Sequence, residues 1–384
     1  MIDNFDLEKI IVPLQEWFKG HARVLPWREQ PSGYYVWVSE IMLQQTRVEA
    51  VKPYFDRFVR ELPDVEALAN CEEDKLLKLW EGLGYYNRVR NLKIAAQQIV
   101  DDYDGVIPEE YEELLKLKGI GHYTAGAIAS IAYQKAVPAV DGNVLRVISR
   151  VTGDDSDIAK QSVRTHMEEL LLTLMENHEK VLKPSIFNQA LMELGATVCV
   201  PNGVPHCTDC PWYAFCEARI QGRTHMLPVK TKAKARRIEE KTVLIIKDGE
   251  KLALHKREEK GLLAGLYELP NIEGYLTEDE IVSYIRKAGY EPVRIQEVGD
   301  AKHIFSHVEW HMKGYVVFLE GWEPIRERNT LKKVENTNKE ELQKWIFVDV
   351  EETKKRYAIP SAFSKYAKYL KLVLGKDAIE KDHI

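Results

Sequence analysis

Four of the five cysteines in this 384-residue chain fall within one short stretch, Cys199, Cys207, Cys210 and Cys216, spaced C-x7-C-x2-C-x5-C. Four thiolates converging from one compact loop suit either a zinc ion or a [4Fe–4S] cluster. Zinc sites more often use two C-x2-C pairs, and here there is one, so the spacing favours iron–sulfur. Cys71, in NCEED, stands alone and reads as a plain cysteine. A second suggestive stretch, LKGIGHYTAGAIASIAYQKAVPAVDGN (117–143), runs from a glycine pair through a helix to a single acidic residue, Asp141. Gly119 and Gly121 lack Cβ atoms, so the turn between helical runs 109–118 and 123–133 can lie close to another surface. The next helix start offers unpaired N–H groups, a combination that grips a phosphate without reading a base. An ordinary helix–turn–helix corner accounts for a bare G-x-G equally well.

The elements that must position these residues change character along the chain. Residues 1–219, with the cysteine loop at 199–216, read as almost wholly helical, with periodic apolar positions over 7–18, 36–58, 65–80, 91–103 and 161–175. A further helix, 142–151, follows Asp141. Residues 220–240 are poor in large apolar side chains. From Arg219 to Lys241 there are eight Lys or Arg against two acids. The stretch reads as a basic linker that suits a DNA backbone or merely a solvated spacer. Beyond it, over 241–384, the period turns to β. TVLIIKD and GEKLALHKR predict a hairpin around Asp248-Gly249, GYVVFLEGW and WIFVDV predict further strands, and 278–288 predicts a helix. The expected fold class is multidomain: an all-α domain followed by a separate α+β domain.

Composition narrows the function classes. A net charge of −6 argues against a nucleic-acid coat protein held by bulk charge, although a DNA enzyme needs only a locally basic face. The start, MIDNFDLEKIIVPLQEW, is acidic and amphipathic, unlike a signal peptide. No apolar run is long enough to cross a bilayer, so the expectation is a soluble cytoplasmic protein with no membrane partner.

The hairpin, Asp141-Gly142-Asn143 and the cysteine loop together resemble the endonuclease III superfamily of DNA glycosylases, a helix-hairpin-helix fold. WVSEIMLQQTRVEAV (37–51) and WEGLGYYNRVRNL (80–92) narrow the resemblance to the MutY-type adenine DNA glycosylase family, over nearly the whole chain. The chain departs from that family in having seven residues, not the usual six, between Cys199 and Cys207. An inserted loop residue can bulge outward without moving the ligands. The resemblance implies a [4Fe–4S] cluster on the four cysteines and a Nudix-like C-terminal domain. As partner it implies double-stranded DNA carrying adenine opposite 8-oxoguanine or guanine, bound by a nucleoid-associated monomer.

Residue roles follow from the same resemblance. Glu40 matches the family's general acid, and Asp141 the carboxylate that stabilises an oxocarbenium-like sugar. The local chemistry agrees: Glu40 sits among Trp37, Val38, Ile41, Met42 and Leu43, an apolar setting that raises a carboxyl pKa. The helix start beyond Asp141 should favour its ionised form. Tyr123 stands where lyase relatives carry a Schiff-base lysine; a tyrosine cannot form that imine, which implies base removal without strand cleavage. Gln45 and Tyr85 match residues that fill the stack when a base is flipped out, with Leu83 and Thr46 beside them. Gly119, Gly121 and Asn143 would contact the DNA backbone. Leu25, Trp27, Arg28 and Gln189 match positions lining an adenine slot. In KHIFSHVEWH, Phe305, Ser306 and His307 match the loop that senses 8-oxoguanine. GLLAGLYELP (261–270) resembles a Nudix remnant, but the R-E-x-x-E-E carboxylates that would bind Mg²⁺ are missing, so nucleotide hydrolysis is not expected. Two rivals remain: a glycosylase/lyase acting on oxidised pyrimidines, which Tyr123 opposes, and a non-catalytic lesion sensor, which Glu40 and Asp141 oppose.

Overall fold

A computed structural model of the chain describes residues 5–231, 235–320 and 345–370. It divides into two compact units, one of residues 1–71 with 87–233 and one of residues 72–86 with 234–384. The helices in order are Ile11–His21 (α1), Pro26–Glu29 (α2), Gly33–Leu43 (α3), Val48–Glu61 (α4), Val65–Asn70 (α5), Glu73–Leu79 (α6) and Asn87–Asp102 (α7). They continue as Tyr111–Leu114 (α8), His122–Ile131 (α9), Gly142–Thr152 (α10), Gln161–Asn177 (α11), Pro184–Thr197 (α12) and Glu217–Ile220 (α13). All but α6 belong to the first unit. One of its cores gathers Leu14, Val144, Ile148, Leu171, Phe187, Leu191 and Trp212 from α1, α10, α11, α12 and the cysteine loop. The apolar periodicity of those helices is spent on this common interior.

Two helical runs expected as continuous are broken. The run 36–58 splits into α3 and α4 because Gln45 adopts φ +58°, a left-handed conformation that no helix continues through. Arg88 on α7 then satisfies the exposed end of α3, donating from Nη1 to the carbonyls of Ile41 (2.7 Å), Met42 (3.2 Å) and Gln44 (2.6 Å). The run 65–80 splits at Cys71, a buried cysteine in no disulfide, whose extended backbone ends α5. The run 109–118 shortens to the single turn α8.

The basic stretch 220–240 is not a free spacer over its described part. Arg150 Nε donates to Leu227 O (2.8 Å), Ile158 N to Val229 O (3.0 Å) and Thr231 N to Asp157 Oδ1 (3.1 Å), so the chain stays on the helical unit up to Thr231. Lys232 and Lys234, counted in its charge, lie outside the described residues. The first strand begins at Arg237, not Lys241.

The second unit is built on a mixed sheet of Arg237–Asp248 (β1), Lys251–Lys256 (β2), Tyr267–Glu268 (β3), Asn271–Glu273 (β4), Pro292–Ile304 (β5), Val308–Leu319 (β6) and Ile346–Asp349 (β7). Its order is β3-β2-β1-β6-β5, with β4 against β1 and β7 against β2; β1 and β6 run parallel and the other pairs antiparallel. The expected hairpin at Asp248-Gly249 joins β1 to β2, with Gly249 at φ +56°. The edge strand β5 escapes the sequence pattern because most of its positions are exposed, apolar Val293 and Ile304 among them, so no alternation of apolar and polar residues marks it. Gly321 and Trp322, at the end of the run expected as a strand, lie outside the described residues. Alternate residues of β1 face opposite ways. Val243 and Ile245 pack with Ile359, Phe363 and Tyr366, whereas Leu244 and Ile246 pack with Ile281 and Ile285 of the helix Glu278–Lys287 (α14). Both faces of the sheet are therefore covered. Residues 72–86, expected within the helical domain, pack in this unit. Lys78 Nζ donates to Tyr357 O (3.2 Å), and Ile359 N to Glu81 Oε1 (2.8 Å).

Candidate active site

Glu40 lies in the middle of α3, whose start is capped by Ser32 accepting from Tyr35 N (3.1 Å). Nearly every residue of that helix is buried, and Glu40 is only 6% exposed. Burial pushes its carboxyl up to about 7, against a hydrogen bond from the Tyr123 hydroxyl; the Asp141 charge raises it further and the Arg28 charge lowers it. Tyr123 comes from the first turn of α9 and donates to Glu40 Oε2, with Met192 Sδ 3.7 Å from the same hydroxyl. Burial and the two neighbouring carboxylates hold the tyrosine well above its ordinary range, so it is a donor and not a phenolate.

Asp141 caps α10, accepting from Val144 N (2.8 Å) and from Asn143 Nδ2 (2.7 Å). The cap alone should lower its pKa, but burial outweighs these donors and raises it. The separation of the pair into acid and carboxylate thus does not come from opposite shifts: crowding raises both groups, and only Asp141 is held by N–H donors. Asn143 is itself held by Arg146, whose Nη2 donates to Asn143 Oδ1 (2.8 Å) and Gly195 O (2.8 Å) while its Nε donates to Cys199 O (2.9 Å). Gly195 is required here, since a Cβ on it would lie 2.6 Å from Asn143 Cβ.

These side chains open into one cavity of about 600 Å³ within the helical unit, a size suited to a small ligand or a single base. Its lining includes Glu40, Tyr123, Asp141 and Asn143, and also Leu25, Trp27, Arg28, Gln189, Gln45 and Thr46. Trp27 meets Phe55 edge to face at 5.4 Å, and Gln189 Nε2 donates to Ser185 Oγ (3.1 Å). Sequence reasoning missed Glu193, which is buried in the same wall. It accepts from Arg28 Nη2 (2.9 Å) and from Arg23 Nε (2.5 Å) and Nη2 (3.1 Å). Burial alone would raise Glu193, but the two guanidinium groups outweigh it and hold the carboxyl below its usual range. The signal was present: Glu193 lies four residues after Gln189 on α12, one helical turn along the same face. Arg23, Ser39, Gln44, Arg164 and Met192 line the cavity as well.

The hairpin glycines stand outside this lining. Gly119 has φ +79°, and a Cβ there would fall 2.7 Å from Asn91 Cβ, so only glycine fits. Gly121 has ordinary extended backbone and open space where a Cβ would point, so neither its conformation nor a neighbour requires glycine there. Leu83 and Tyr85 belong to the second unit: Leu83 is buried, and Tyr85 is exposed with left-handed backbone, φ +49°.

The four cysteines ring a second, small cavity with Arg150, Tyr213 and Arg219. Among the described residues no three or more His, Cys, Asp or Glu side chains meet closely enough to hold a single metal ion. Arg150 Nη1 reaches Cys199 Sγ at 3.3 Å, a donor suited to a thiolate. Burial raises the thiols of Cys207, Cys210 and Cys216, that of Cys210 to about 12. Between Cys199 and Cys207 the loop forms an exposed bulge, closed by His206 N donating to Val198 O (3.0 Å) and with Gly203 at φ +78°.

In the second unit Phe305, Ser306 and His307 form the tight turn between β5 and β6, closed by Phe305 N donating to Val308 O (2.8 Å). Phe305 is anchored edge to face against Trp310 (4.9 Å) and His303 (4.6 Å), leaving Ser306 and His307 exposed at the tip. Ser306 Oγ and His307 Nδ1 are 3.2 Å apart. The helix α14 occupies the region expected to lack Nudix carboxylates; its Glu280 closes a capping box with Thr277.

Residues 38–172 match the family described as "HhH-GPD superfamily base excision DNA repair protein", and residues 242–369 match the NUDIX domain family. Together with the buried acid and the hairpin, these define a base-excision repair fold joined to a Nudix-like domain. The chain is 33% identical over 369 residues to adenine DNA glycosylase of Rattus norvegicus, covering 81% of this chain and 70% of that one. It is 32% identical over 296 residues to the adenine DNA glycosylase of Buchnera aphidicola subsp. Baizongia pistaciae, covering 76% and 81%. Among solved structures it is similar to a thermostable thymine-DNA glycosylase, with TM-score 0.49, 27% identity and 56% and 97% of the two chains covered. The chain belongs to the adenine DNA glycosylase family.

Proposed function

We propose that this protein is a monofunctional DNA glycosylase that excises adenine mispaired with 8-oxoguanine and, less efficiently, adenine opposite guanine. The observation that carries the reading is Glu40, a carboxyl buried in the cavity wall and raised to about 7, so that a large share of it keeps its proton at neutral pH. A flipped adenine enters the slot of Leu25 and Trp27, where Arg28 and Gln189 read its edge. Glu40, oriented by the Tyr123 hydroxyl, protonates a ring nitrogen and makes the base a neutral leaving group. As the glycosidic bond breaks, the Asp141 carboxylate, held by Val144 N and Asn143, stabilises the sugar cation until water adds. With tyrosine at position 123, no amine from the hairpin helix attacks the sugar.

The cysteine loop is read as the seat of a [4Fe–4S] cluster. The support is chemical: four cysteines and no other ligand type line one cavity, spread around it and not drawn to a point, with Arg150 directed at a sulfur. When bound, such a cluster would tie Cys199, just beyond the end of α12, to Cys207, Cys210 and Cys216 farther along the loop, and could carry an electron. In the second unit, the exposed Ser306 and His307 are placed by chemistry to donate to the altered edge of 8-oxoguanine. The partner is duplex DNA bound by a monomer; among the described residues no helix is long and apolar enough to cross a membrane. Single-turnover excision on duplexes that differ only in the base opposite adenine tests the reading. Adenine release fastest opposite 8-oxoguanine supports it, and Glu40→Gln retaining the parental rate would falsify the acid assignment.

A further inference from the structure

We propose that Glu193 is a positioning residue. By holding the Arg28 guanidinium on the cavity wall, it keeps that cation from pairing with Glu40 and so keeps Glu40 in its proton-donating form. The inference rests on the glycosylase reading above, in which Glu40 is the acid.

The geometry separates the two partners of Arg28. Glu193 approaches from α12 with a side chain wholly shielded from solvent, and Arg28 from α2 with a side chain 18% exposed. Arg28 Nη2 is committed to Glu193 Oε2 (2.9 Å), its Nη1 to Arg23 O (3.3 Å), and its guanidinium lies 5.4 Å over the Phe18 ring. The far side of Glu193 is taken by Arg23 in a two-pronged pair, which locks the carboxylate and leaves it no freedom to follow Arg28. Arg28 and Glu40 nonetheless line one cavity, and the Arg28 charge already acts on Glu40.

The groups facing Glu40 can be enumerated among the described residues. Tyr123 comes from α9, Asp141 from the start of α10 and Arg28 from α2. Arg88 of α7 is held by the carbonyls that end α3, α4 contributes Val48 and no charged group to the cavity lining, and Arg164 and Arg23 line the cavity farther round. Glu193 is the partner of both Arg28 and Arg23; of the two, Arg28 is the cation whose charge acts on Glu40. Without the Glu193 charge, the carboxylates left to Arg28 within the cavity are Glu40 and Asp141. A guanidinium beside a carboxyl favours the ionised form, so Glu40 would lose its proton at lower pH.

The test is the pH profile of single-turnover excision in the full chain. Glu193→Gln keeps the shape and one acceptor but removes the charge. Its alkaline descent should move down by about one pH unit, which is about tenfold slower excision above the limb and little change below it. In an Arg28→Gln background, Glu193→Gln should leave the limb where Arg28→Gln alone puts it. A limb that stays in place while thermal stability falls would mean that Glu193 only holds the wall together, and overturns the proposal. The DNA-free protein supplies an independent readout, the ¹³C titration of the carboxyl resonance lost in Glu40→Gln. If the parental chain released no adenine from any duplex, the glycosylase reading would fail, and this titration would still decide the positioning. A lower midpoint in Glu193→Gln supports it and an unchanged one overturns it. Should Glu193→Gln not fold, Glu193→Asp, which draws the charge back by one methylene, is expected to move the same resonance in the same direction, and no movement overturns the proposal.

Discussion

At the scale of single residues, the chemistry rests on where each proton sits. Glu40 works as an acid only while protonated, and burial holds it so up to about pH 7. The single-turnover rate should therefore be flat at lower pH and fall about tenfold per unit as pH rises past 7. Glu40→Gln should lower the plateau by at least about 10²-fold, the usual scale of lost general-acid catalysis. A profile that instead rose through pH 7 would assign Glu40 as a base. Tyr123 makes a separate prediction. Its hydroxyl cannot form an imine, so borohydride should trap no covalent complex with DNA, and efficient trapping would remove the monofunctional reading. Both residues were singled out in the sequence by the family resemblance, with the apolar neighbours of Glu40 in agreement. The hydrogen bond between the two was not legible there, because 83 residues separate them.

Among elements, α10 links two sites. Its first residues hold Asp141 through Asn143, and Arg146 holds Asn143 while anchoring the Cys199 carbonyl. Arg146→Met would leave the buried Gly195 carbonyl and the half-buried Asn143 Oδ1 and Cys199 carbonyl without this donor. It should lower stability by about 1–3 kcal/mol and slow excision, measured together by thermal melting and single-turnover rates. Loss of stability with an unchanged rate would show that Asn143 keeps Asp141 in place unaided. The β5–β6 turn is the corresponding element of the second unit, anchored at Phe305 and exposed at Ser306. Removing the hydroxyl in Ser306→Ala should reduce the preference for 8-oxoguanine over guanine by up to about tenfold, the scale of one hydrogen bond, while leaving adenine opposite guanine nearly unaffected. Equal loss on both duplexes would assign the turn to general DNA binding.

For the molecule as a whole, the helical unit depends on its cysteine loop, since Trp212 of that loop is buried with α1, α10 and α12. Cys210→Ser should lower bound iron, bleach the broad visible absorption of a cluster and reduce the thermal midpoint, because ligand binding and folding are coupled. A variant that kept its fold and activity with no iron would make the cluster dispensable. The division into units also departs from the order of the chain. Residues 72–80, read as the later part of the helical run 65–80 of the first domain, pack with the second, as do 81–86. A local pattern reports that a face is apolar and not which surface will cover it.

The sequence by itself determined the two kinds of domain, the cysteine spacing, and the glutamate and tyrosine at positions 40 and 123 on which the proposed base removal without strand cleavage rests. Those properties lie in residue type and short-range pattern. Tertiary structure alone decided that Asp141 is raised and not lowered, that Gln45 breaks a helix, that β5 is a strand, and that Glu193 sits behind Arg28. Each of these depends on desolvation or on partners brought from distant segments, and neither is written in the local run of residues.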